Sequence, residues 1–523
     1  MSPRRHRMAT GIVGLVVALV SSACGHDSSA PNPAPTDATL TLSFLGDPGQ
    51  PPDPDVYYGT QGLLLTTNVY EGLLTYQADT ATPVIVPSLA TSWTQSPDHT
   101  VFTLQLRQGV KFHDGTPFDA SAVKASFDRR LAVNSGPAYM VQGISAVREN
   151  NPYEVTITLN EPDAGFLDEL ASPYGPKMMS PTGLASNAGS DNAQSYLMTH
   201  DLGSGPYQLA EVRVGSAYQL KSFDDYWGKR PYFTTVDIPV VTDSSAEQLQ
   251  FNSGTLAAIL HDVPSSAVTS YVSNPKFATY TLPTEVAEYL YVNPHGELLS
   301  SQDVRRALLQ AVDLKDLADN AFFGRGTVAK QIYPANINDP RYAAQNITYD
   351  PTVLSRAVQA VPASARQVTI GFDSSSPDSQ QVANLMIGQL AKAGVTATVQ
   401  GFPTSQIFGW VGNQNGAPDM LVNLGLPDAA TPYFWEHINF DPDGGSNLLG
   451  CSSPAATRLI AEGKKTGSAD TFSAAAQAAQ ATGCWMNLVD VSDFVVAQPW
   501  LKGIKAAHIV TYPATLTLNE LHL

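Results

Sequence analysis

Composition limits the classes of protein to which this chain can belong. It has 523 residues with 29 basic and 47 acidic side chains, which gives a formal net charge of -18. Nucleic-acid binding needs a concentrated basic surface, so this balance argues against a nucleic-acid partner. The length exceeds what a single hydrophobic core normally serves, and it predicts two or three domains.

The N-terminus predicts export. Arg4, Arg5 and Arg7 precede an apolar run over residues 11–20, which is typical of a secretory signal peptide and too short to span a bilayer. We expect residues 1–23 to be removed, leaving a net charge of about -21 on the mature chain. No other apolar run approaches transmembrane length, so we expect a soluble body outside the membrane.

The end of this leader resembles a lipoprotein signal. In Val-Ser-Ser-Ala-Cys, Cys24 would become the lipidated first residue, although Ser21 stands where such signals usually carry an aliphatic residue. Ser21 and Ala23 also fit ordinary small-residue cleavage, so a freely secreted form is the alternative. A diacylated cysteine supplies the two chains that stable anchoring needs. Residues 24–37, rich in Ser, Pro, Ala and Asp, are then expected to form a flexible tether.

The next elements in chain order are two strands with a helix between them. Alternating apolar residues predict the strands, one carrying Phe102, Leu104 and Leu106 and the other Tyr153, Val155, Ile157 and Leu159. Between the strands, His-Asp-Gly-Thr-Pro at residues 113–117 predicts a turn. Asp119 or Ser121 can then cap a helix that turns Val123 and Phe127 towards the core.

Later segments predict an α/β fold class. Ser301 can cap a helix carrying Val304, Leu308, Ala311 and Val312 inward. Residues 367–372, 378–392 and 395–401 then form the pattern strand, amphipathic helix, strand. Such a βαβ unit requires parallel pairing of its two strands.

Two cysteines predict a disulfide bond. Besides Cys24, only Cys451 and Cys484 are present, and export permits their oxidation. The bond would close a loop of about 34 residues and stabilise the fold by about 3 to 4 kcal/mol in the chain-entropy model. A metal site is less favoured, because the two cysteines have no neighbouring histidine.

A series of short motifs carries a resemblance to a known family. The most informative is Val-Lys-Phe-His-Asp-Gly-Thr-Pro-Phe at residues 110–118. The others occur at residues 53–54, 69–76, 87–93, 203–207, 225–228, 303–308 with Asp313, and 323–326. Together, and in this order, they resemble family 5 extracytoplasmic solute-binding proteins, the peptide and nickel receptors of ABC importers. The resemblance spans about residues 40 to 510.

The resemblance implies a periplasmic-binding-protein-like α/β fold with two lobes, a ligand cleft between them, and two crossings of the chain from lobe to lobe. On this sequence, lobe I would take residues 38–264, with an extra subdomain at about 68–200. Lobe II would take residues 265–488, and residues 489–523 would return to lobe I. Such lobes close over a ligand like a hinge.

The resemblance also implies a ligand-binding segment. Peptide receptors of this family anchor the peptide ammonium with an aspartate in a Trp-containing segment, which here matches residues 419–429. Leu424 stands near the expected tryptophan, and Asp428 is displaced by about one residue. Asp428 can accept a charge-assisted hydrogen bond, but it also fits a turn aspartate after a proline.

Amphipathic side chains near the expected cleft complete the candidate site. The candidate ligand-binding residues are Tyr57, Tyr58, Tyr139, Trp410, Asn423, Asp428, Phe434 and Trp435. Each aromatic residue among them also fits a place in the core. Tyr289 and Tyr291, which share a strand face, are interpreted first as packing residues. We expect no catalytic residue, no metal ligand and no cofactor.

One enzymatic alternative is a serine acyl-enzyme. Ser-Ala-Val-Lys at Ser121 to Lys124, Ser-Asp-Asn at residues 190–192 and Lys-Thr-Gly at residues 465–467 occur in the order used by penicillin-binding proteins. That chemistry needs Lys-Thr-Gly on a strand beside the nucleophile. Here the motif is predicted in a loop between two Ala-rich helices, which makes the reading remote.

The sequence therefore predicts a monomeric, lipid-anchored, non-enzymatic receptor on the outer face of the cytoplasmic membrane. It would capture short peptides and present them to an ABC permease. A nickel chelate, haem, glutathione or another small solute is the alternative ligand. A second alternative is an envelope interaction or regulatory lipoprotein that has lost transport.

Overall fold

The computed structural model describes residues 31–261, 263–337, 345 and 347–523. The predicted signal peptide, Cys24 and the first part of the tether lie outside the described residues. No helix in the described ranges has the length and apolar character needed to cross a membrane.

The described residues form strands and helices that alternate along much of the chain. The strands are β1 Thr39–Thr41, β2 Phe44–Leu45, β3 Leu74–Tyr76, β4 Ile85–Pro87, β5 Ala90–Gln95, β6 Val101–Leu106, β7 Ile144–Asn151, β8 Glu154–Leu159, β9 Tyr207–Arg213, β10 Ala217–Ser222, β11 Thr235–Val241, β12 Ala258–Ile259, β13 Ala278–Val292, β14 Gly326–Val328, β15 Gln367–Asp373, β16 Thr396–Phe402, β17 Met420–Gly425 and β18 Trp485–Ala497.

The helices lie mostly between these strands. They are α1 Leu63–Val69, α2 Ala120–Val133, α3 Tyr139–Gln142, α4 Phe166–Ala171, α5 Pro181–Asn187, α6 Gln194–Leu197, α7 Ser244–Asn252, α8 Ser265–Val272, α9 Gln302–Leu309, α10 Leu314–Ala321, α11 Pro351–Ala357, α12 Pro377–Lys392, α13 Thr404–Phe408, α14 Pro432–Phe440, α15 Pro454–Thr466, α16 Ala469–Gln480 and α17 Ile504–Ala507.

The strands assemble into three main sheets and one two-stranded ribbon, β3-β4. A five-stranded sheet has the order β1-β11-β10-β9, with β2 also paired to β11. A four-stranded antiparallel sheet has the order β5-β6-β8-β7. A seven-stranded sheet has the order β12-β18-β13-β17-β15-β16, with β14 also paired to β18.

The seven-stranded sheet has a core on each face because successive side chains of a strand point to opposite sides. From β13, Leu290 and Val292 enter one core, whereas Tyr289 and Tyr291 enter the other. The first core also takes the buried side of α12, and the second takes Trp485 from β18.

The long pair β13 and β18 joins this sheet to the rest of the molecule. At one end, Leu282, Val495 and Ala497 pack into the core of the five-stranded sheet. At the other end, Leu290 and Met486 belong to a core of the seven-stranded sheet. The strand pair therefore crosses from one lobe to the other, and its register shifts between Leu282 and Val286.

The lobe limits predicted from the sequence stay predictions. Contacts of the C-terminal segment and of α8 show where the chain packs near two of these limits. Ile509 and Tyr512, from the C-terminal segment, pack into the core of the four-stranded sheet. Val268 of α8 packs in one small core with Phe251 of α7 and Phe494 of β18. The first residues after 264 therefore lie against α7, on the side of lobe I.

The local elements predicted from the sequence are confirmed with small changes. β6 contains its predicted alternating residues, and β8 contains its own except Tyr153, which lies just before the strand. Asp119 caps α2 by accepting a hydrogen bond from the Ser121 amide at 2.9 Å. β15, α12 and β16 form the predicted βαβ unit with parallel strands. Within the seven-stranded sheet, the parallel pairs are those of β15 with β16 and β17, whereas β13 and β17 are antiparallel, so this sheet is mixed.

Two boundaries differ from the predictions. The helix that Ser301 caps ends at Leu309, before the buried Ala311 and Val312, because Asp313 caps the next helix, α10. The Lys-Thr-Gly motif is not wholly in a loop. Its Lys465 and Thr466 end α15, and Gly467 forms a left-handed C-terminal cap with φ of 63°.

The structure joins Cys451 to Cys484 by a disulfide bond, with the two Cα atoms 6.3 Å apart. The bond ties the segment before α15 to the start of β18. It lies in the same core as Trp485 and Phe440.

Candidate functional site

The candidate site lies where the two lobes meet. A small core there combines Tyr57, Leu63 and Tyr174, from the N-terminal part of the chain, with Ala429 and Phe434 from the segment after β17. These groups are more than 250 positions apart in sequence, so the contact closes the space between the lobes.

Local structure sets the position of Asp428 at this junction. β17 ends at Gly425, and the side chain of Thr431 caps α14 by accepting a hydrogen bond from the amide of Phe434 at 3.4 Å. Asp428 lies in the short turn between strand and helix. The carboxyl end of a strand followed by a helix is a common place for a ligand-binding side chain in α/β proteins.

Asp428 bridges the lobes through its side chain and its backbone. One carboxylate oxygen, Oδ2, accepts hydrogen bonds from the hydroxyls of Tyr58 and Tyr139, the latter at 2.5 Å. The Ser172 hydroxyl donates to the backbone oxygen of Asp428. Burial raises the pKa of the Asp428 carboxyl, and the two tyrosine hydrogen bonds oppose that rise.

Five of the predicted site residues gather at the junction: Tyr57, Tyr58, Tyr139, Asp428 and Phe434. Tyr57 is buried, and its hydroxyl accepts a hydrogen bond from the Gly62 amide at 2.5 Å. Tyr58 is 40% exposed as a residue, and its hydroxyl donates a hydrogen bond to Asp428. Phe434 is fully buried beside the ring of Tyr139.

The other three predicted site residues do not join this group. Trp410 packs against Phe402 with ring centroids 4.9 Å apart, and Trp435 is fully buried and donates from Nε1 to the Tyr289 hydroxyl at 2.9 Å. Asn423 is buried in β17, where its side chain donates to the backbone oxygen of Leu424 at 3.0 Å. All three lie within lobe II. Tyr289 and Tyr291 are buried, in agreement with the interpretation that they pack.

A group of acidic residues at the junction was not predicted from the sequence. We define the junction acid cluster as Asp163, Asp168, Glu169 and Glu285. Tyr76 connects this cluster to the Asp428 segment, because its hydroxyl donates to Asp168 Oδ1 at 2.8 Å and accepts from the Ala430 amide at 3.2 Å. Glu285 was visible in the sequence as a charge within the apolar strand β13.

Lys464 brings one positive charge to the junction acid cluster. Its Nζ lies 3.2 Å from Asp163 and 4.8 Å from the centre of the Tyr433 ring. Its backbone oxygen accepts a hydrogen bond from the Ala164 amide at 2.9 Å, which docks the end of α15 on lobe I. Burial disfavours the ammonium, but the negative charges of Asp163 and Glu169 raise the pKa of Lys464 above its ordinary value.

The other carboxyls of the cluster have little compensation. Burial raises the pKa of Asp168 to about 7, against the hydrogen bond from Tyr76. Burial also raises the pKa of Glu169 and of Glu285 well above their ordinary values, and neighbouring carboxylates add to both shifts. Within the described residues, the junction therefore holds more acidic groups than Lys464 alone can neutralise.

One group of side chains near the junction has the chemistry of a metal site. Donor atoms of His437, Asp441 and Asp443 all lie within 4.8 Å of one another. His437 lies one turn after Tyr433 on α14, and their rings stack with an interplanar angle of 5°. These residues were not predicted as ligands, because two of them follow the helix in a turn.

The residues of the acyl-enzyme alternative are separated in the structure. Ser121 donates its hydroxyl to Asp119 at 2.6 Å, as part of the cap of α2. Lys124 forms an exposed ion pair with Asp128. Lys465 and Thr466 lie on a helix of the other lobe rather than on a strand beside Ser121.

Comparisons with known proteins agree with this architecture. The probable D,D-dipeptide-binding periplasmic protein DdpA of Escherichia coli K12 is 26% identical over 406 residues, which cover 77% of this chain and 78% of that protein. NikZ from Campylobacter jejuni, solved in complex with Ni(L-His), has a TM-score of 0.79 at 20% identity, with 93% of this chain and 99% of that chain covered.

A second solved structure has the same fold. DppA from Helicobacter pylori, an ABC transporter-associated periplasmic binding protein in complex with the peptide STSA, has a TM-score of 0.77 at 20% identity, with 93% and 98% of the two chains covered. The family model for bacterial extracellular solute-binding proteins, family 5 Middle, matches residues 84–447. The two-lobed α/β fold and this match lead to one conclusion: the chain belongs to the family 5 bacterial extracellular solute-binding proteins.

Proposed function

We propose that this protein is the substrate-binding lipoprotein of an ABC importer, which captures short peptides between its lobes and delivers them to a membrane permease. The observation that carries the proposal is Asp428, a buried carboxylate at the lobe junction that accepts hydrogen bonds from Tyr58 and Tyr139. The protein acts as a monomer and without catalysis.

A peptide ammonium fits the chemistry of Asp428. A carboxylate offers about four acceptor positions, and the two tyrosines use one oxygen only. A charged donor binds such an oxygen more strongly than a neutral hydroxyl does. The ammonium of a peptide can therefore join or replace the tyrosine hydroxyls while the rings of Tyr58 and Tyr139 cover its first side chain.

The same contacts explain how a ligand would close the two lobes. Asp428 belongs to one lobe, and Tyr58, Tyr139 and Ser172 belong to the other. A ligand that touches both sides binds the closed state better than the open state, so it shifts the population towards closure. The permease would then recognise the closed form.

Peptides are the first choice of ligand because two of the similar proteins are described with peptides, DdpA by its name and DppA by its bound STSA. A nickel chelate is the second choice, favoured by the donor atoms of His437, Asp441 and Asp443 beside the junction. Haem and glutathione are tested as further alternatives. A non-transport envelope lipoprotein would bind none of them.

We also propose that Cys24 is lipidated and holds the protein on the outer face of the cytoplasmic membrane. Two acyl chains suffice for stable anchoring, whereas a single chain gives only reversible binding. Replacing Cys24 with Ala should move the protein from the membrane fraction to the soluble fraction. Retention of the variant in the membrane fraction would contradict the anchor and leave the ligand proposal intact.

The ligand proposal is tested by the melting temperature of the purified chain from residue 25 onward, measured with pools of short peptides, glutathione, haem and a nickel-histidine chelate. A ligand that binds only the folded state must raise the melting temperature. We expect a shift with peptides, and we expect Asp428→Asn to reduce it strongly.

The exposed Asp443→Asn provides a matched control, which should retain the peptide shift and weaken any effect of nickel. A shift with only the chelate, haem or glutathione would replace the ligand class. No shift with any pool would favour the non-transport lipoprotein.

A further inference from the structure

Two carboxyl groups at the lobe junction have no basic partner among the described residues. Asp168 lies on α4 of lobe I, and the one side chain of the described ranges that bonds to it is the hydroxyl of Tyr76, at 2.8 Å. Glu285 lies on β13 where the strand crosses between the lobes. The two are close enough for the charge of Asp168 to raise the pKa of Glu285.

Glu285 is the more unusual of the two. It is 4% exposed, and its Oε1 has no hydrogen-bond partner. The register of β13 and β18 breaks between Leu282 and Val286, so Glu285 lies in an irregular stretch outside the regular ladder. Burying an unpaired carboxylate is costly, and proteins normally pair such a charge or bind a cation with it.

The cation of the junction acid cluster is engaged by another member, Asp163. Lys464 pairs with Asp163 at 3.2 Å and lies over the ring of Tyr433. This arrangement demonstrates that the junction can hold an ammonium between a carboxylate and an aromatic face. It leaves Asp168 and Glu285 with no positive charge of their own.

The unpaired carboxyls are continuous with the proposed ligand site. The hydroxyl of Tyr76 contacts both Asp168 and the amide of Ala430, and Ala430 lies two residues after Asp428. One tyrosine hydroxyl therefore links Asp168 to the segment that carries Asp428.

We propose that the ligand of this receptor carries a second positively charged group, which Asp168 and Glu285 bind while Asp428 binds the first. This inference rests on the proposed function and narrows the ligand class to dicationic solutes. A second ammonium or guanidinium can come from the lysine or arginine side chain of a short peptide, or from a free diamine.

The test is isothermal titration of the purified chain from residue 25 onward, near neutral pH and at low salt, with four probes. They are Ala-Ala-Ala, Ala-Lys-Ala, Ala-Glu-Ala and 1,4-diaminobutane. We expect Ala-Lys-Ala to bind at least about tenfold more tightly than Ala-Ala-Ala, and Ala-Glu-Ala to bind more weakly than either. A charge-assisted contact of ordinary strength gives a difference of this size.

Variants separate charge recognition from general peptide binding. In the double variant Asp168→Asn, Glu285→Gln, the ratio between Ala-Lys-Ala and Ala-Ala-Ala should fall to about one. Asp428→Asn should weaken both peptides alike. Glu288→Gln is the matched control, because Glu288 is also a buried glutamate of β13 without hydrogen-bonded oxygens, but it lies beside Ser379 of lobe II. That variant should keep the wild-type ratio.

Each other outcome has a distinct meaning. Equal affinities for Ala-Lys-Ala and Ala-Ala-Ala would overturn this inference while leaving the peptide receptor in place. Tighter binding of 1,4-diaminobutane than of any peptide would support the second charge and replace the peptide as its source. If none of the probes binds, both the proposed function and this inference are contradicted.

Discussion

Two groups of buried charges in this protein differ in how they are compensated. The first is in lobe I, where Arg129 contacts Asp53 and Asp55 at 2.6 Å and Arg130 contacts Asp55 at 2.7 Å. The second is the junction acid cluster, where several carboxyls share Lys464 as the one cation found there in the described part of the chain. The first group has equal numbers of positive and negative charges, and the second does not.

The difference separates a structural role from a binding role. Removing one partner from a balanced buried network leaves an uncompensated charge, so such a network is essential to the fold. Arg130 also donates to the backbone oxygen of Tyr174, whose ring packs against Tyr58 at the junction. The balanced network therefore supports the wall of the site, whereas the unbalanced cluster has carboxyl groups that can ionise when a cationic ligand pairs with them.

The largest loss of stability is expected from breaking the balanced network of Arg129, Arg130, Asp53 and Asp55. Arg129→Met leaves Asp53 and Asp55 short of one cation and should reduce the free energy of unfolding by about 3 to 5 kcal/mol. Denaturant unfolding followed by circular dichroism measures this change. Lys111→Met, which removes the exposed pair with Asp225, is the control and should cost no more than about 1 kcal/mol. Similar losses for both variants would contradict the comparison.

The next effect is on the pH dependence of stability. The pKa of Asp168 is about 7 in the folded protein, against an ordinary value of 3.8. Between these values the folded state binds more protons than the unfolded state. The stabilisation that Asp168 gives the folded state is thus complete below about pH 4 and is lost as the pH rises through about 7. Over this range its titration lowers the free energy of unfolding by at most about 1.4 kcal/mol per pH unit.

Asp168→Asn removes this titration. Unfolding curves of the wild type and the variant between these two pH values should therefore differ in slope, with the wild type declining more steeply as the pH rises. Parallel curves would mean that Asp168 is not held at a raised pKa, and would weaken the contrast between the two groups of charges.

Substitution of Glu285 is expected to change stability less than Arg129→Met does, and in the opposite direction. Because its Oε1 lacks a partner, Glu285→Gln removes a buried ionisable group without breaking a hydrogen bond to that oxygen. The ligand-free variant should be as stable as the wild type or more stable, by up to about 3 kcal/mol. A loss comparable to that of Arg129→Met would identify Glu285 as a structural residue.

The smallest effect is expected at Lys464, whose side chain is 35% exposed. Lys464→Met should cost about 1 kcal/mol of stability, since a partly screened ion pair contributes little. It should also favour the open arrangement, because the pair with Asp163 joins the two lobes. Small-angle X-ray scattering of the ligand-free protein should show a larger radius of gyration than the wild type. An unchanged radius would show that Lys464 does not hold the lobes together.

Much of the fold could be predicted because its signals are local. Alternating residues located β6 and β8, and the change of period over residues 367–401 located the βαβ unit. The helix end at Leu309 was missed because Ala311 and Val312 continue the apolar spacing while Asp313 starts a new helix. A cap can interrupt a periodic pattern that hydrophobicity alone would extend.

The site could be predicted only in part because its contacts are not local. The resemblance located Asp428, and Tyr58 and Tyr139 meet it from positions 370 and 289 residues away. Trp410 and Trp435 have the same amphipathic character but lie within lobe II, since a ring does not reveal which face of a sheet it will join. The proximity of Glu285 on β13 to Asp168 on α4 is likewise not local, because more than 100 positions of sequence separate the two carboxyls.

The central claim is that the lobe junction captures a solute through Asp428 and its acidic surroundings. Native mass spectrometry of the gently purified chain from residue 25 onward, followed by denaturing release of what it carries, tests this claim most directly. The account predicts a series of short peptides enriched in lysine and arginine, and their depletion from the Asp428→Asn variant. A protein that carries nothing, and whose melting temperature no peptide or diamine raises, would contradict it.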